Sequence, residues 1–222
     1  MSASPQLIEK RRPPLVKGPS CVPESPRSRI LDAMTSVVAD RGFQATTVEA
    51  IIDVAGVPQH EFDEHFADKQ DCFVQGIDQV VGLTHQVVTE AYSTAAPWPD
   101  RIRAALDAFL SALAANPEWT WLTMVESCTA GNDAMQHYRQ AYASFLSFFD
   151  EGRGETAHPD SIPPHTSDVV VGGIASVVQR SVAQGEAASL RSLLPDLLYF
   201  ALVPYIGHSE AMSVAAHPPS AD

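Results

Sequence analysis

Residues 46–69 read TTVEAIIDVAGVPQHEFDEHFADK, and they describe two short helices joined by a tight turn. Thr46, followed three positions on by Glu49, has the pattern of a capping box, which predicts a helix opening at about Thr47. Val48, Ile51, Ile52 and Ala55 recur at helical spacing, and Gly56 can leave the helix in a left-handed conformation. Pro58 suits the first turn of the next helix, where its missing N–H leaves no intrahelical bond unmade, while Phe62 and Phe66 fall on one buried stripe. Helix, glycine-containing turn and helix is the layout that offers its second helix to the major groove of DNA.

Upstream, Ile30, Leu31, Ala33, Val37 and Val38 lead into Asp40-Arg41-Gly42-Phe43 and then Ala45-Thr46-Thr47-Val48; downstream come His65-Phe66, Lys69 and Phe73. This stretch, roughly residues 27 to 75, resembles the DNA-binding head of the TetR-type bacterial transcriptional regulators, with Ala55-Gly56-Val57 as the turn and the segment through Phe62 as the recognition helix. The rest is similar more weakly to the family's helical ligand-binding and dimerisation domain, chiefly through its length and the closing Leu194-Pro195 to Pro204-Tyr205-Ile206-Gly207 segment. Composition marks a disordered basic Pro-rich arm over 1–26 and a flexible tail over 211–222, while the resemblance implies an all-α fold with a helix-turn-helix head over 27–69 and a helical body over 70–210. It implies a homodimer on pseudo-palindromic operator DNA. Gln59, His60, Glu61, Asp63 and His65 would bear on the groove, with Thr47 and Lys69 on flanking phosphates.

The reading helix departs from the family pattern. Asp63 and Glu64 stand where a phosphate-contacting Tyr and a basic or polar residue are usual, and His60 stands where Gly is frequent. With Phe62 taken as the buried direction and about 100° per residue, His60 and Glu64 point nearly opposite, flanked by Glu61 and Asp63. The exposed face is thus expected to carry three carboxylates. Over the whole segment Arg27, Arg29, Arg41 and Lys69 face nine acidic residues, a net charge of −5, although phosphate binding normally rests on Lys and Arg. Two features offset this. A carboxylate can accept a hydrogen bond from cytosine N4. Residues 1–29 carry Lys10, Arg11, Arg12, Lys17, Arg27 and Arg29 against Glu9 and Glu24, net +4 in a chain of −13, in a Pro-rich context that fits a basic arm along the phosphates or a solvated leader with no partner.

Beyond Asp68, a candidate cap, the pattern stays helical: 70–94, then Arg101 to Ala115, then Trp119 to Ala130 opened by Pro117, then a helix from Asn132 through Phe149, and finally Val170 to Ala183 and Leu193 to Ile206. The last two are apolar around most of their circumference, which predicts a four-helix dimer interface through Val170, Gly173, Ile174, Val177, Leu194, Leu198 and Leu202, or else a buried intramolecular pair. Trp121, Met124, Glu126, Tyr138, Tyr142 and Phe145 concentrate aromatic and polar groups in the middle helices. They read as the lining of a pocket for a small apolar or aromatic effector, or as plain core.

Composition excludes several other classes. No run approaches a membrane span and no apolar segment follows the early basic residues, so a cytoplasmic protein is expected. Cys21, Cys72 and Cys128 form no CxxC pair, which argues against a zinc or disulfide framework. His60 and His65 in HEFDEH lie about 140° apart around a helix, too far for one metal. Neither cofactor nor catalysis is expected. The function read from the chain is a ligand-responsive regulator, a repressor by the family's common mode. The competing reading is a helical small-molecule or protein-binding dimer whose acidic head no longer binds DNA.

Overall fold

The structure, a computed structural model, describes residues 25–93, 96–128, 130–156 and 159–216. Among these residues all regular secondary structure is helical, and there is no strand. Helix α1 (Pro26–Arg41) opens with Pro26 in its first turn and Ser25 as its cap, whose hydroxyl accepts from the Ser28 N–H at 3.2 Å. It ends at Gly42, φ 79°, ψ 157°, beyond ordinary L-residue space. The cap of α2 (Val48–Ala55) is Thr47, accepting from the Ala50 N–H at 3.2 Å. That corrects the expected capping box by one position, because the buried Thr46 is engaged elsewhere: its hydroxyl donates to the Gly42 carbonyl at 2.9 Å and closes the loop between the helices. Glu49 is held below the usual carboxylate range by its own backbone N–H and then by the Thr47 hydroxyl.

Gly56 takes the left-handed conformation, φ 63°, ψ 40°, and turns the chain into α3 (Gln59–His65), with Pro58 as cap residue. Asp68 caps α4 (Lys69–Tyr92), accepting from the Asp71 N–H at 2.8 Å. The head core joins Ile30, Leu31, Met34 and Val38 of α1 to Phe43, Ile51, Phe62, Phe66, Phe73 and Ile77. Full burial of each large side chain stabilises by ~1.5–3 kcal/mol. This core does not stop at the head: Leu122 and Ala130 of the body belong to it.

The body comprises α5 (Trp98–Ala115), α6 (Pro117–Met124), α7 (Asn132–Ala143), α8 (Leu146–Asp150), α9 (Thr166–Ala183) and α10 (Leu194–Ala216). Helix α5 packs against both α4 and α10, and its Trp98, Ile102 and Leu110 anchor the second core. Five boundaries differ from the expected ones, two of them at helix starts: α5 opens at Trp98 rather than Arg101, and α9 opens at Thr166 rather than Val170. The helix expected over Trp119–Ala130 ends at Met124 and passes into a 3-10 turn, Glu126–Cys128. The one expected over Asn132–Phe149 is two, parted at Ser144 and Phe145. Residues 211–216, expected in the tail, continue α10 with Ala211 fully buried, although Gly207, φ 77°, interrupts the helix just after Pro204.

Candidate nucleic-acid interface and effector cavity

On α3, Phe62 is driven inward by the core, and the opposite face presents Gln59, His60, Asp63 and Glu64 to solvent. Gln59 Nε2 donates to Asp63 Oδ1 at 2.8 Å, so these two side chains are fixed together one turn apart. Glu61, expected on the outer face, is only half exposed and lies 3.8 Å from Arg29 of α1; the exposed face therefore carries two carboxylates rather than three. His65 is half-buried with its ring edge-on to Phe66. Thr47 is exposed at the start of α2.

All four basic side chains of the head have partners within it. Arg27 donates to Gln75 Oε1 at 2.9 Å and Gln79 Oε1 at 3.2 Å, Arg29 faces Glu61, and Arg41 pairs with Asp40 at 3.3 Å. Lys69 Nζ donates to the carbonyls of Phe43 at 3.0 Å and Thr46 at 2.8 Å, and sits 4.5 Å above the Phe43 ring. Two of its three donors thus staple the α1–α2 loop to the first turn of α4, a role hidden from the sequence because neither carbonyl has a sequence signature. Lys10, Arg11 and Arg12 lie outside the described residues.

The body encloses a cavity of about 110 Å³. Its wall comes from α4 (Val80, Val81, Thr84, Val88), α5 (Ile102, Ala105, Leu106, Phe109, Leu113), Thr123 and Met124 of α6, Ala141 and Tyr142 of α7, Phe145 and Phe148–Phe149, and Val171, Ile174 and Ala175 of α9. Among the described residues no charged side chain lines it; its polar groups are two threonine hydroxyls and the Tyr142 phenol, whose OH donates to the Asp168 carbonyl at 2.7 Å. Burial, then Asp168, pushes the Tyr142 pKa up. Gly172 permits this approach, since a Cβ there would stand 2.7 Å from the phenol oxygen. Of the expected ligand set, Met124, Tyr142 and Phe145 line the cavity. Trp121 and Glu126 do not: both are buried, with the indole Nε1–H donating to Glu126 Oε1 at 3.3 Å, and the other carboxylate oxygen accepts the Phe43 N–H at 3.1 Å. The Tyr138 side chain is outside the described residues. The α4 and α5 lining went unread, because apolar spacing marks a buried stripe without showing whether it meets a neighbour or a void.

The expected dimer residues divide. Val170, Leu198 and Leu202 are buried in the protomer's own core, Ile174 lines the cavity, Val177 and Leu194 are half-buried, and Gly173 is exposed. The outward large apolar groups on α9 and α10, among the described residues, are instead Val169, 72% exposed, Phe200, 66% exposed, and Met212, 48% exposed. Among the described residues no helix is long and apolar enough to cross a membrane, and no group of three or more His, Cys, Asp or Glu could hold a metal ion.

The family described as bacterial regulatory proteins, tetR family, matches residues 30–75, from the middle of α1 into α4. The HTH-type transcriptional activator FasR of Mycolicibacterium smegmatis is 31% identical over 83 residues, 37% of this chain; the chain spans 38% of that relative's length. Solved structures extend the likeness in fold. The fatty acid degradation regulator FadR from Bacillus halodurans superposes with a TM-score of 0.72 at 18% identity, covering 85% of this chain and 97% of its own. FadR from Bacillus subtilis, in complex with stearoyl-CoA, gives 0.68 at 18% identity over 81% and 98%. Residues 30–75 are thus similar to the DNA-binding head of the tetR family, and the described body shares the fold of these solved regulators.

Proposed function

We propose that this protein is a homodimeric, cytoplasmic regulator that binds pseudo-palindromic operator DNA through α3 and releases it when a mostly apolar effector fills the body cavity. One observation carries the reading: α4 is a single helix of 24 residues, ~36 Å at 1.5 Å per residue, that holds the head loop through Lys69 at one end and forms the cavity wall through Val80, Val81, Thr84 and Val88 farther along. A ligand that prefers one packing around α4 therefore biases the placement of α3. The apolar wall favours hydrocarbon and leaves a charged headgroup at the rim. The stearoyl-CoA complex of the B. subtilis FadR, which shares the fold, makes a long acyl chain the first effector to try.

The test is selection of duplexes from a randomised pool with the full-length protein, followed by titration of stearoyl-CoA onto the selected complex. Release of DNA supports an acyl effector and the repressor sense; tighter binding would instead match the activator sense named for FasR. The partnered cations of the head and the His60, Asp63 and Glu64 face favour a second reading, a helical binding dimer that no longer reads DNA. Recovery of no duplex at low salt would select it.

A further inference from the structure

Glu126 is 4% exposed, has no place in the cavity wall, and sits where the head meets the body. Its carboxylate takes one donor from each side: the Phe43 N–H from the exit of α1 and the Trp121 indole N–H from α6. We propose that Glu126 is the latch through which filling of the cavity moves the head, an inference that rests on the effector reading above.

The physical reason is the penalty for a buried polar oxygen that loses its donor, which is larger than the net gain from a typical hydrogen bond. The turn bearing Glu126 and the Phe43 amide therefore move together rather than part. On the body side only Val125 separates the turn from Thr123 and Met124, which line the cavity, and the Met124 carbonyl is pinned from α9 by Gln179 Nε2 at 2.8 Å. On the head side Phe43 is gripped three more times: its carbonyl by Lys69, its ring by Phe73 at 4.5 Å, and its ring face by the Lys69 ammonium. The same ammonium holds the Thr46 carbonyl, one residue before the cap of α2. A displacement of Met124 thus reaches the start of the helix-turn-helix through Glu126 and Phe43 without passing along α4.

The test needs no known effector. Ala105→Met fills part of the cavity from α5, and Glu126→Gln keeps the side chain's shape while leaving one oxygen as acceptor. Hydrogen exchange of the 42–47 segment is measured by mass spectrometry in the full-length wild type, both single variants and the double variant. With Glu126 present, filling should change exchange of this segment by about tenfold, within the usual range of coupling between sites; in the Glu126→Gln background the change should fall below about twofold. Equal changes in both backgrounds, or none in the wild type, would overturn the latch. Should Ala105→Met fail to fold, Ala175→Met fills the same cavity from α9. Stearoyl-CoA is added in a parallel arm: failure to bind either background removes the acyl effector, and the cavity-filling cycle still decides the role of Glu126.

Discussion

Gly56 and Gly152 lack a Cβ for different reasons, and substitution separates them. At Gly56 nothing stands within 4 Å of a built Cβ, so Gly56→Ala should destabilise only through its positive φ, by about 1 kcal/mol. At Gly152 a Cβ would lie 2.5 Å from the Trp98 ring and 2.8 Å from Tyr205, and both rings are locked in the core. Gly152→Ala should therefore cost about 1–3 kcal/mol by overpacking, and urea unfolding of both variants reads the difference. The first glycine is legible in sequence because it separates two helical patterns. The second is not, because its neighbours come from distant segments. Lys69 shows the same limit. Its position is conspicuous, yet only the structure reveals the two carbonyls it serves. Lys69→Ala should lower stability by about 1.5–3 kcal/mol, as for hydrogen bonds to a charged group. If the remaining N–H also reaches phosphate, the salt slope of DNA binding should fall by about one unit as well.

Helix identity is legible almost throughout, from spacing and from Pro, Gly, Ser and Asp at the ends; what escapes are breaks made by tertiary packing. Ser144 and Phe145 carry no breaker, yet α7 and α8 part there as Phe145 turns into the cavity wall against Phe109 and His85. The seam between α1 and α6 is equally hidden. There Asp32, although largely open to solvent, is raised above its ordinary value of 3.8, first by desolvation and then by the Glu118 carboxylate of α6, which accepts from Ser36. A raised carboxyl pKa means that the folded state holds the proton more tightly. Stability from this site is then greatest below about 3.8 and falls as pH rises through the folded-state value. Asp32→Asn should consequently stabilise at pH 7, by a few tenths of a kcal/mol (~0.2–0.5) given the exposure, with no gain at pH 3. Glu49 runs the other way: its lowered pKa contributes stability above 4.5 that is lost as pH falls. Glu49→Gln should destabilise at pH 7 and have no effect in acid, so thermal melts of the two variants across pH should diverge in opposite directions.

Val169 and Phe200 are exposed apolar side chains on α9 and α10, and for the proposed homodimer Val169→Asp with Phe200→Asp should give folded monomers in sedimentation, since both side chains are mostly exposed in the protomer. The protein carries −13 overall, and each basic group of the described head is already engaged within it. Attraction to a polyanion must then come largely from elsewhere. The sequence places Lys10, Arg11, Arg12 and Lys17 ahead of α1, and a dimer presents that set twice. Each phosphate neutralised contributes about −0.9 to the slope of log affinity against log salt. Deleting residues 1–24, which retains the Ser25 cap and so leaves α1 intact, should weaken binding to a selected duplex by orders of magnitude and flatten that slope by several units, while circular dichroism and the dimer stay unchanged. Glu64→Gln, on the exposed face of α3, should strengthen binding to unrelated sequences without altering the preferred one. Equal salt slopes for full-length and truncated protein would show that the arm carries none of the attraction. The head would then have to bind by trading its internal partners, Gln75, Glu61 and Asp40, for phosphate, and substitution of Arg27, Arg29 or Arg41 would flatten the slope where the truncation had not.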